Sequence, residues 1–297
     1  MTHTARKHRG GHWAGRSLLL ALALLLSGCR LSAPPQATER GFGLVIPIYN
    51  EAGLAHAVTT LEPHLRADDR FMIVSGNSSG LLDAAFVNRA ALALRETYPR
   101  APIYAATSGL GNVERAAQQV GEVVTAIVYV YEPNFPNQPE FDWDFSTTLA
   151  RFQDAGARSG ERKLVGKPTG RPLLQPSLQA YAWDYGEIAA TVDELFIQTQ
   201  TYCKESSAAF GNAIDEIIAQ YGVRAKVSPW VPQVTVDPDA PNGTSVAQAR
   251  ACIAEAQRRG VSGALLWWSP PFAERAASFI AALNVAEASP QHAPLAR

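Results

Sequence analysis

The chain has 297 residues, of which 47% are hydrophobic and 18% are charged, with 26 Lys and Arg against 27 Asp and Glu. This composition is typical of a globular protein and excludes a disordered, collagen-like or disulfide-framework chain. The near-zero net charge offers no phosphate-binding face, so we do not expect nucleic acid as a partner. Small-molecule, glycan and protein partners stay open.

The N-terminus has the order of an export signal. Basic residues, among them Arg9 and Arg16, precede an apolar run at 18–26, and small residues lead to Cys29. The apolar run is too short to span the ~30 Å hydrocarbon layer. The sequence Leu-Ser-Gly-Cys at 26–29 resembles the bacterial lipobox, which implies cleavage before Cys29, lipidation of Cys29 and an extracytoplasmic, membrane-anchored protein. An ordinary secretory signal is the alternative.

These features divide the chain into four parts. Residues 1–28 form the signal peptide, and 29–40, which contain Pro34 and Pro35, form a tether. A single domain at 41–287 is large enough to bury one core. Residues 288–297 form a loose tail.

Within the domain, short runs rich in β-branched and aromatic residues alternate with stretches of helical spacing. The runs predict strands at 43–49, 71–75, 102–106, 126–131, 163–166, 194–198, 226–231 and 264–268. The clearest helical stretches are 83–97, 113–123, 147–157, 206–220 and 245–258. The segment 166–193 is expected to form a long loop with a helix.

The repeat of about thirty residues has the size of one βαβ unit. Eight such units predict an α/β fold of the (β/α)8 TIM-barrel type, because they fit this part of the chain without remainder. A doubly wound open parallel sheet shows the same alternation and is the alternative.

In a (β/α)8 barrel the active site lies at the C-terminal ends of the strands. We therefore take polar and aromatic residues at these ends as candidate substrate-binding residues. They are Tyr49, Asn50, Asn77, Tyr131, Lys167, Gln198, Gln200, Tyr202, Gln233, Trp267 and Trp268.

Five tryptophans follow the signal segment, and on the predicted strand limits all of them fall late in a strand or in the next loop. Sugars stack their C–H faces on aromatic rings, and their hydroxyl groups bind amides, carboxylates and phenols. The mouth therefore favours a glycan or polysaccharide ligand. The alternative is that Trp230 and one of Trp267 and Trp268 fill the core, and strand alternation requires this for part of the set.

Glu132 ends an apolar strand, where a carboxyl group must be paired or functional. With Tyr202 after strand 6 and Trp267-Trp268 at the end of strand 8, this layout resembles the chitinase-like glycoside hydrolase barrels. The resemblance implies that Glu132 is the general acid, Tyr202 binds substrate and Trp268 forms the floor of a sugar subsite. It departs from the family pattern at Val130, where such barrels have Asp, and at Gln233, where other hydrolase barrels have Glu.

Glycoside hydrolysis usually requires a second carboxylate. Five acidic residues lie on the predicted mouth side. We prefer Glu51 and Asp184, whose neighbours are site-like, over Asp142, Asp144 and Asp237. Each can instead be a solvated loop residue or a helix N-cap.

Other chemistries have weaker support. Residues 76–80 match G-x-S-x-G, so Ser78 can be the nucleophile of an esterase, but the histidine that must follow it is only His292 in the tail. Lys167 can form a Schiff base or, more commonly, a salt bridge. We expect no cofactor and no preformed transition-metal site, since HExxH and CxxC motifs are absent from the sequence. Cys203 and Cys252 can form a disulfide or remain as buried thiols.

Two functions remain open. The chain is either a glycoside hydrolase or a non-catalytic glycan-binding or envelope-scaffold lipoprotein with the same barrel. A second carboxylate that faces Glu132 distinguishes the two.

Overall fold

Eight parallel strands form a closed barrel in sequence order, in a computed structural model that describes residues 41–74, 76, 81–133, 135, 138, 140–173, 175–221 and 230–288. β1 pairs with β2 and with β8, which closes the sheet. The described residues belong to one compact unit. The predicted TIM-type barrel is confirmed, and the open sheet is excluded because an open sheet has two edges.

The strands are short and buried. They are β1 Gly43–Ile48, β2 Arg70–Val74, β3 Ile103–Thr107, β4 Ala126–Tyr131, β5 Lys163–Pro168, β6 Glu194–Ile197, β7 Trp230–Thr235 and β8 Gly263–Trp267.

Helices follow the strands and cover the outside of the barrel. They are α1 Glu51–Ala57, α2 Ala84–Thr97, α3 Leu110–Gln119, α4 Phe145–Arg158, α5 Pro176–Gln179, α6 Tyr185–Ala189, α7 Gln200–Glu205, α8 Ser207–Tyr221, α9 Val246–Arg258 and α10 Ala273–Ala288. Single 3₁₀ turns occur at Glu62–His64, Arg171–Leu173 and Pro270–Phe272. Among the described helices, none has both the length and the apolar character of a membrane-spanning segment.

Side-chain alternation divides the core into two layers. The inner layer fills the barrel and includes Val45, Met72, Tyr104, Val128, Val130, Val165, Phe196, Val231 and Leu265. The outer layer lies between the strands and the helices and includes Ile46, Ile127, Tyr129, Tyr131, Leu195, Val234, Leu266 and Trp268. Each strand is therefore apolar on both faces, as expected for a parallel sheet that is covered by helices.

The seventh strand differs from its prediction. It was expected at 226–231 but runs from Trp230 to Thr235, and residues 222–229 lie outside the described part of the chain. Pro232 does not end the strand, because β7 continues through it with Pro232 opposite Ile197 of β6. Trp230 therefore begins its strand, contrary to the expected position late in a strand. It packs against Tyr221 in the outer layer, with ring centroids 5.8 Å apart.

The N-terminal end of the barrel interior is closed by a polar network. Arg70 of β2 forms an ion pair with Glu194 of β6 and lies over the ring of Phe196, 5.9 Å from its centroid. The Tyr104 hydroxyl donates a hydrogen bond to Glu194 Oε2 at 3.3 Å. These charges are therefore paired within the barrel, as buried charges require.

A disulfide joins Cys203 of α7 to Cys252 of α9, with 5.9 Å between their Cα atoms. Both residues are fully buried. This bond settles the open choice between a disulfide and two thiols in favour of the disulfide, and it ties together the helices that follow β6 and β7.

We predict that Cys203→Ser together with Cys252→Ser lowers the free energy of unfolding by about 2–4 kcal/mol, because the bond spans 49 positions of the chain and restricts the unfolded state. Urea denaturation of the purified protein, with and without dithiothreitol, measures this loss. Reductant should shift the midpoint of the wild type and leave that of the double variant unchanged. Equal midpoints for the oxidised wild type and the variant would contradict the prediction.

Candidate functional site

The C-terminal end of the barrel interior carries a group of polar and aromatic side chains that we call the mouth. On β4 the inner-layer residues Val128 and Val130 are followed by Glu132, and on β6 Phe196 is followed by Gln198. The other residues of the mouth also lie two positions, or a multiple of two, after an inner-layer residue of their strand. The mouth consists of Tyr49, Glu132, Lys167, Gln198, Gln233, Asp237 and Trp267.

Glu132 and Lys167 form an ion pair at the base of the mouth. Lys167 Nζ lies 3.6 Å from Glu132 Oε2, and the two side chains are 4% and 24% exposed. Burial lowers the pKa of Lys167, and the Glu132 carboxylate opposes this shift. The predicted salt bridge of Lys167 is thus confirmed, and the Schiff base stays a prediction.

Tyr49 of the mouth packs against Trp267 and has a buried hydroxyl group. Its ring packs on Trp267 with a centroid distance of 4.8 Å, and its buried hydroxyl has no hydrogen-bond partner among the described residues. Burial raises the pKa of Tyr49 well above its ordinary value, and the charges of Glu132 and Asp237 raise it further. Both carboxylates therefore act on the same phenol.

Asp237 is thus the second carboxylate that the structure brings to the mouth. It lies two residues after β7 and is 6% exposed. Its Oδ1 accepts a hydrogen bond from the backbone N–H of Asp239 at 2.9 Å, which fixes the carboxylate in a turn. Asp237 was among the five acidic residues predicted on the mouth side, but Glu51 and Asp184 were preferred to it because their neighbours are site-like.

Three glutamine amides add unpaired polar atoms near the ends of β6 and β7. Gln198 Nε2, Gln200 Oε1 and Gln233 Oε1 are buried, and they lack partners within the described part of the chain. An unsatisfied buried polar atom costs about 1–3 kcal/mol, so such atoms need a reason to persist. A ligand with hydroxyl or amide groups satisfies donors and acceptors of this kind.

The backbone around these amides is held firmly. Thr199 Oγ1 accepts a hydrogen bond from the backbone N–H of Gln233 at 2.9 Å and donates one to its carbonyl at 3.0 Å. A Cβ on Gly170 would lie 1.8 Å from the Gln198 carbonyl oxygen, so this position requires glycine. The backbone that carries the Gln198 and Gln233 side chains is therefore fixed in position.

Several residues that the sequence placed in the site lie in the outer layer instead. Trp268 is 1% exposed and packs between strands and helices, as do Tyr131 and Tyr202. The reason is alternation: Trp267 points inward, so Trp268 points outward, and Tyr131 stands in the same relation to Glu132. The expected sugar-subsite floor is therefore not Trp268, and Trp267 has the suitable position.

The two acidic residues preferred as the second carboxylate are engaged elsewhere. Glu51 forms an exposed ion pair with Arg89 of α2 at 2.7 Å. Asp184 caps α6 by accepting a hydrogen bond from the Glu187 backbone N–H at 2.9 Å. Asn50 likewise caps α1 through the Gly53 N–H at 2.9 Å.

Other aromatic residues on the same side of the barrel form a structural cluster. Trp183 Nε1 donates a hydrogen bond to the Trp143 carbonyl at 2.6 Å. The Tyr131 hydroxyl accepts one from the Asp142 N–H at 2.7 Å, and the rings of Phe141 and Trp143 meet edge to face. These contacts join the loops after β4 and β5, so most of these rings serve packing.

Some predicted residues fall outside the described part of the chain. They are Cys29, Asn77 and Ser78. The lipid anchor and the serine-esterase alternative therefore stay predictions. Among the described residues, no group of three or more His, Cys, Asp or Glu side chains is arranged to hold a metal ion.

The fold is shared with solved glycoside hydrolase structures. The PgaB (BpsB) glycoside hydrolase domain from Bordetella bronchiseptica gives a TM-score of 0.54 at 10% identity, over 80% of this chain and 98% of that domain. A class V chitinase from Pseudomonas fluorescens Pf-5 gives 0.54 at 11% identity, over 81% and 99% of the two chains. A family 18 chitinase from Crocus vernus gives 0.52 at 15% identity, over 82% and 98%.

No protein-family model matches the chain, and no curated protein matches it. At identities of 10–15%, the structural likeness establishes the fold alone. The predicted likeness to glycoside hydrolase barrels is thus confirmed as a likeness of fold.

We predict that Tyr49→Phe reduces the loss of stability above pH 10. The folded-state pKa of Tyr49 is raised, so the stability that this phenol contributes is fully present below the unfolded-state pKa of about 10 and falls as pH rises beyond it. At pH 11 the wild type should lose about 1.4 kcal/mol more than the variant, relative to pH 9.

Urea denaturation at pH 9, 10 and 11 measures this difference. Tyr181→Phe is the matched control, because Tyr181 is 41% exposed. If Tyr49→Phe and Tyr181→Phe follow the same pH dependence, Tyr49 does not have the buried environment described above.

Proposed function

We propose that the chain is a carbohydrate-active protein that binds a glycan at the mouth of its barrel. The proposal rests on buried polar atoms of Tyr49, Gln198 and Gln233 that have no partner among the described residues, together with the partly exposed Trp267. A sugar ring supplies an apolar face for the tryptophan and several hydroxyl groups for the phenol and the amides. The structural neighbours that are glycoside hydrolases support the same interpretation.

The proposed reaction is hydrolysis of a glycosidic bond. Glu132 acts as the general acid that protonates the leaving oxygen, and Asp237 is the second carboxylate, acting as nucleophile or as general base. The charges of both carboxylates raise the pKa of Tyr49, and we place the reacting bond beside this phenol. Lys167 fixes the position of the Glu132 carboxylate through their ion pair.

The same ion pair favours a second function, a non-catalytic glycan-binding lipoprotein. A carboxylate neutralised by a buried lysine is suited to accept hydrogen bonds from sugar hydroxyls, whereas a general acid must carry a proton. Hydrolysis of a glycan separates the two functions, since both predict binding at the mouth.

We predict that the purified protein hydrolyses a member of a panel of polysaccharides and aryl glycosides. Glu132→Gln should reduce the rate by at least about 100-fold, because the general acid is lost, while glycan binding is retained. Asp237→Asn should have an effect of similar size. The panel is read by reducing-end release and binding by calorimetry.

Matched variants control the assignment. Glu51→Gln and Asp184→Asn replace acidic residues that are engaged away from the mouth and should leave the rate within about twofold. Trp267→Ala should weaken glycan binding. Binding without turnover by the wild type would establish the non-catalytic function, and neither binding nor turnover would contradict both.

We further propose that the protein is exported and anchored to a membrane through a lipid on Cys29. The lipobox-like sequence at 26–29 supports this, as does the Cys203–Cys252 disulfide, which is typical of oxidising compartments.

A bacterium that expresses the chain with radiolabelled palmitate provides the test. The wild type should incorporate the label into a membrane-bound protein, and Cys29→Ser should incorporate none. Release of a soluble, unlabelled wild-type protein would instead indicate an ordinary secretory signal.

A further inference from the structure

Lys167 differs from the other lysines of the described chain. Its side chain is 4% exposed and lies inside the mouth, whereas Lys163 and Lys204 are on the surface. Its register partner on β4 is Val130, and Val165 precedes it on the inner face of β5. The amine therefore stands on an apolar floor and points toward the open end of the barrel.

The only polar partner of Lys167 within the described residues is Glu132. Their separation of 3.6 Å is longer than the 2.7–2.9 Å of a tight charge-assisted hydrogen bond. An ammonium group has three N–H donors, so this contact leaves Nζ with hydrogens that are not engaged. Nζ therefore has N–H donors available for a ligand at this end of the barrel.

We propose that Lys167 forms a Schiff base with the open-chain carbonyl of a reducing sugar. The proposal rests on the proposed function in its choice of ligand, since the tryptophan, phenol and amides of the mouth fit a hydroxylated molecule. Lysine is a nucleophile when it is neutral, and desolvation favours the neutral amine. Burial lowers the pKa of Lys167 in this way.

The adjacent carboxylate supplies the proton transfers that the reaction needs. Glu132 first accepts a proton from the Lys167 ammonium, and the neutral amine forms a C–N bond with the carbonyl carbon. The attacking nitrogen, which is now positively charged, gives up one of its protons to the carbonyl oxygen, and this transfer produces a neutral carbinolamine. The C–O bond then breaks as Glu132 returns its proton to the leaving hydroxyl, and the nitrogen lone pair forms the C=N bond. One water is released, and no oxidant or reductant takes part.

Reductive trapping tests this assignment. The purified wild-type protein is treated at pH 7 with glycolaldehyde, which carries the aldehyde and neighbouring hydroxyl of an aldose, and with sodium cyanoborohydride. Peptide mass mapping then compares hydroxyethylation of Lys167, Lys163 and Lys204 over time. We expect Lys167 to react faster than the two surface lysines, because burial lowers its pKa and leaves more of its amine neutral at pH 7. Its rate should also saturate with aldehyde concentration.

Modification of Lys167 in the folded wild type at or below the rate of the surface lysines would overturn the proposal. That comparison decides the matter without any variant. A negative result would not bear on the proposed glycan binding or hydrolysis, because the trapping experiment measures neither.

Discussion

The alternation of side chains along eight parallel strands is the constraint on which the rest of the structure depends. Every second residue of a strand points into the barrel, and all strands end on the same side. Val130 therefore has Glu132 above it, and Phe196 has Gln198 above it. Residues that are distant in the chain meet at one mouth because the inner side chains of a closed sheet all point toward the barrel interior.

The two ends of the barrel interior handle buried polar groups differently. At the N-terminal end, Arg70, Glu194 and Tyr104 satisfy one another. At the C-terminal end, Lys167 and Glu132 form an ion pair at 3.6 Å, and Gln198 Nε2 and Gln233 Oε1 lack partners among the described residues. The first network pairs its own charges within the fold. The second has a cost that a bound ligand can offset, which agrees with the rule that barrel active sites lie at strand C-termini.

Much of the fold was predictable because it depends on composition within short segments. β4 was predicted at its observed bounds, and the helix at 207–221 was predicted one residue early. The end of β7 was predicted at residue 231, but the strand continues through Pro232 to Thr235. Asp237 was predicted on the mouth side but ranked below Glu51 and Asp184, because the neighbours of those two residues looked site-like.

The facing of residues within a strand was harder to predict. In an amphipathic strand the polar residues mark the solvent side, but these strands are apolar on both faces and carry no such mark. Hence Trp267 and Trp268 were both placed in the site, although alternation allows only one to point inward. Tyr131 beside Glu132 shows the same ambiguity. Only pairing with neighbouring strands decides which residue of each pair faces the barrel.

A crystal structure of the protein with a bound glycan tests the central claim most directly. The account predicts a sugar ring stacked on Trp267, with hydroxyl groups bound to Tyr49, Gln198 and Gln233 and a glycosidic oxygen within hydrogen-bond distance of Glu132. A glycan bound only outside the mouth, with those side chains left in contact with water, would contradict it.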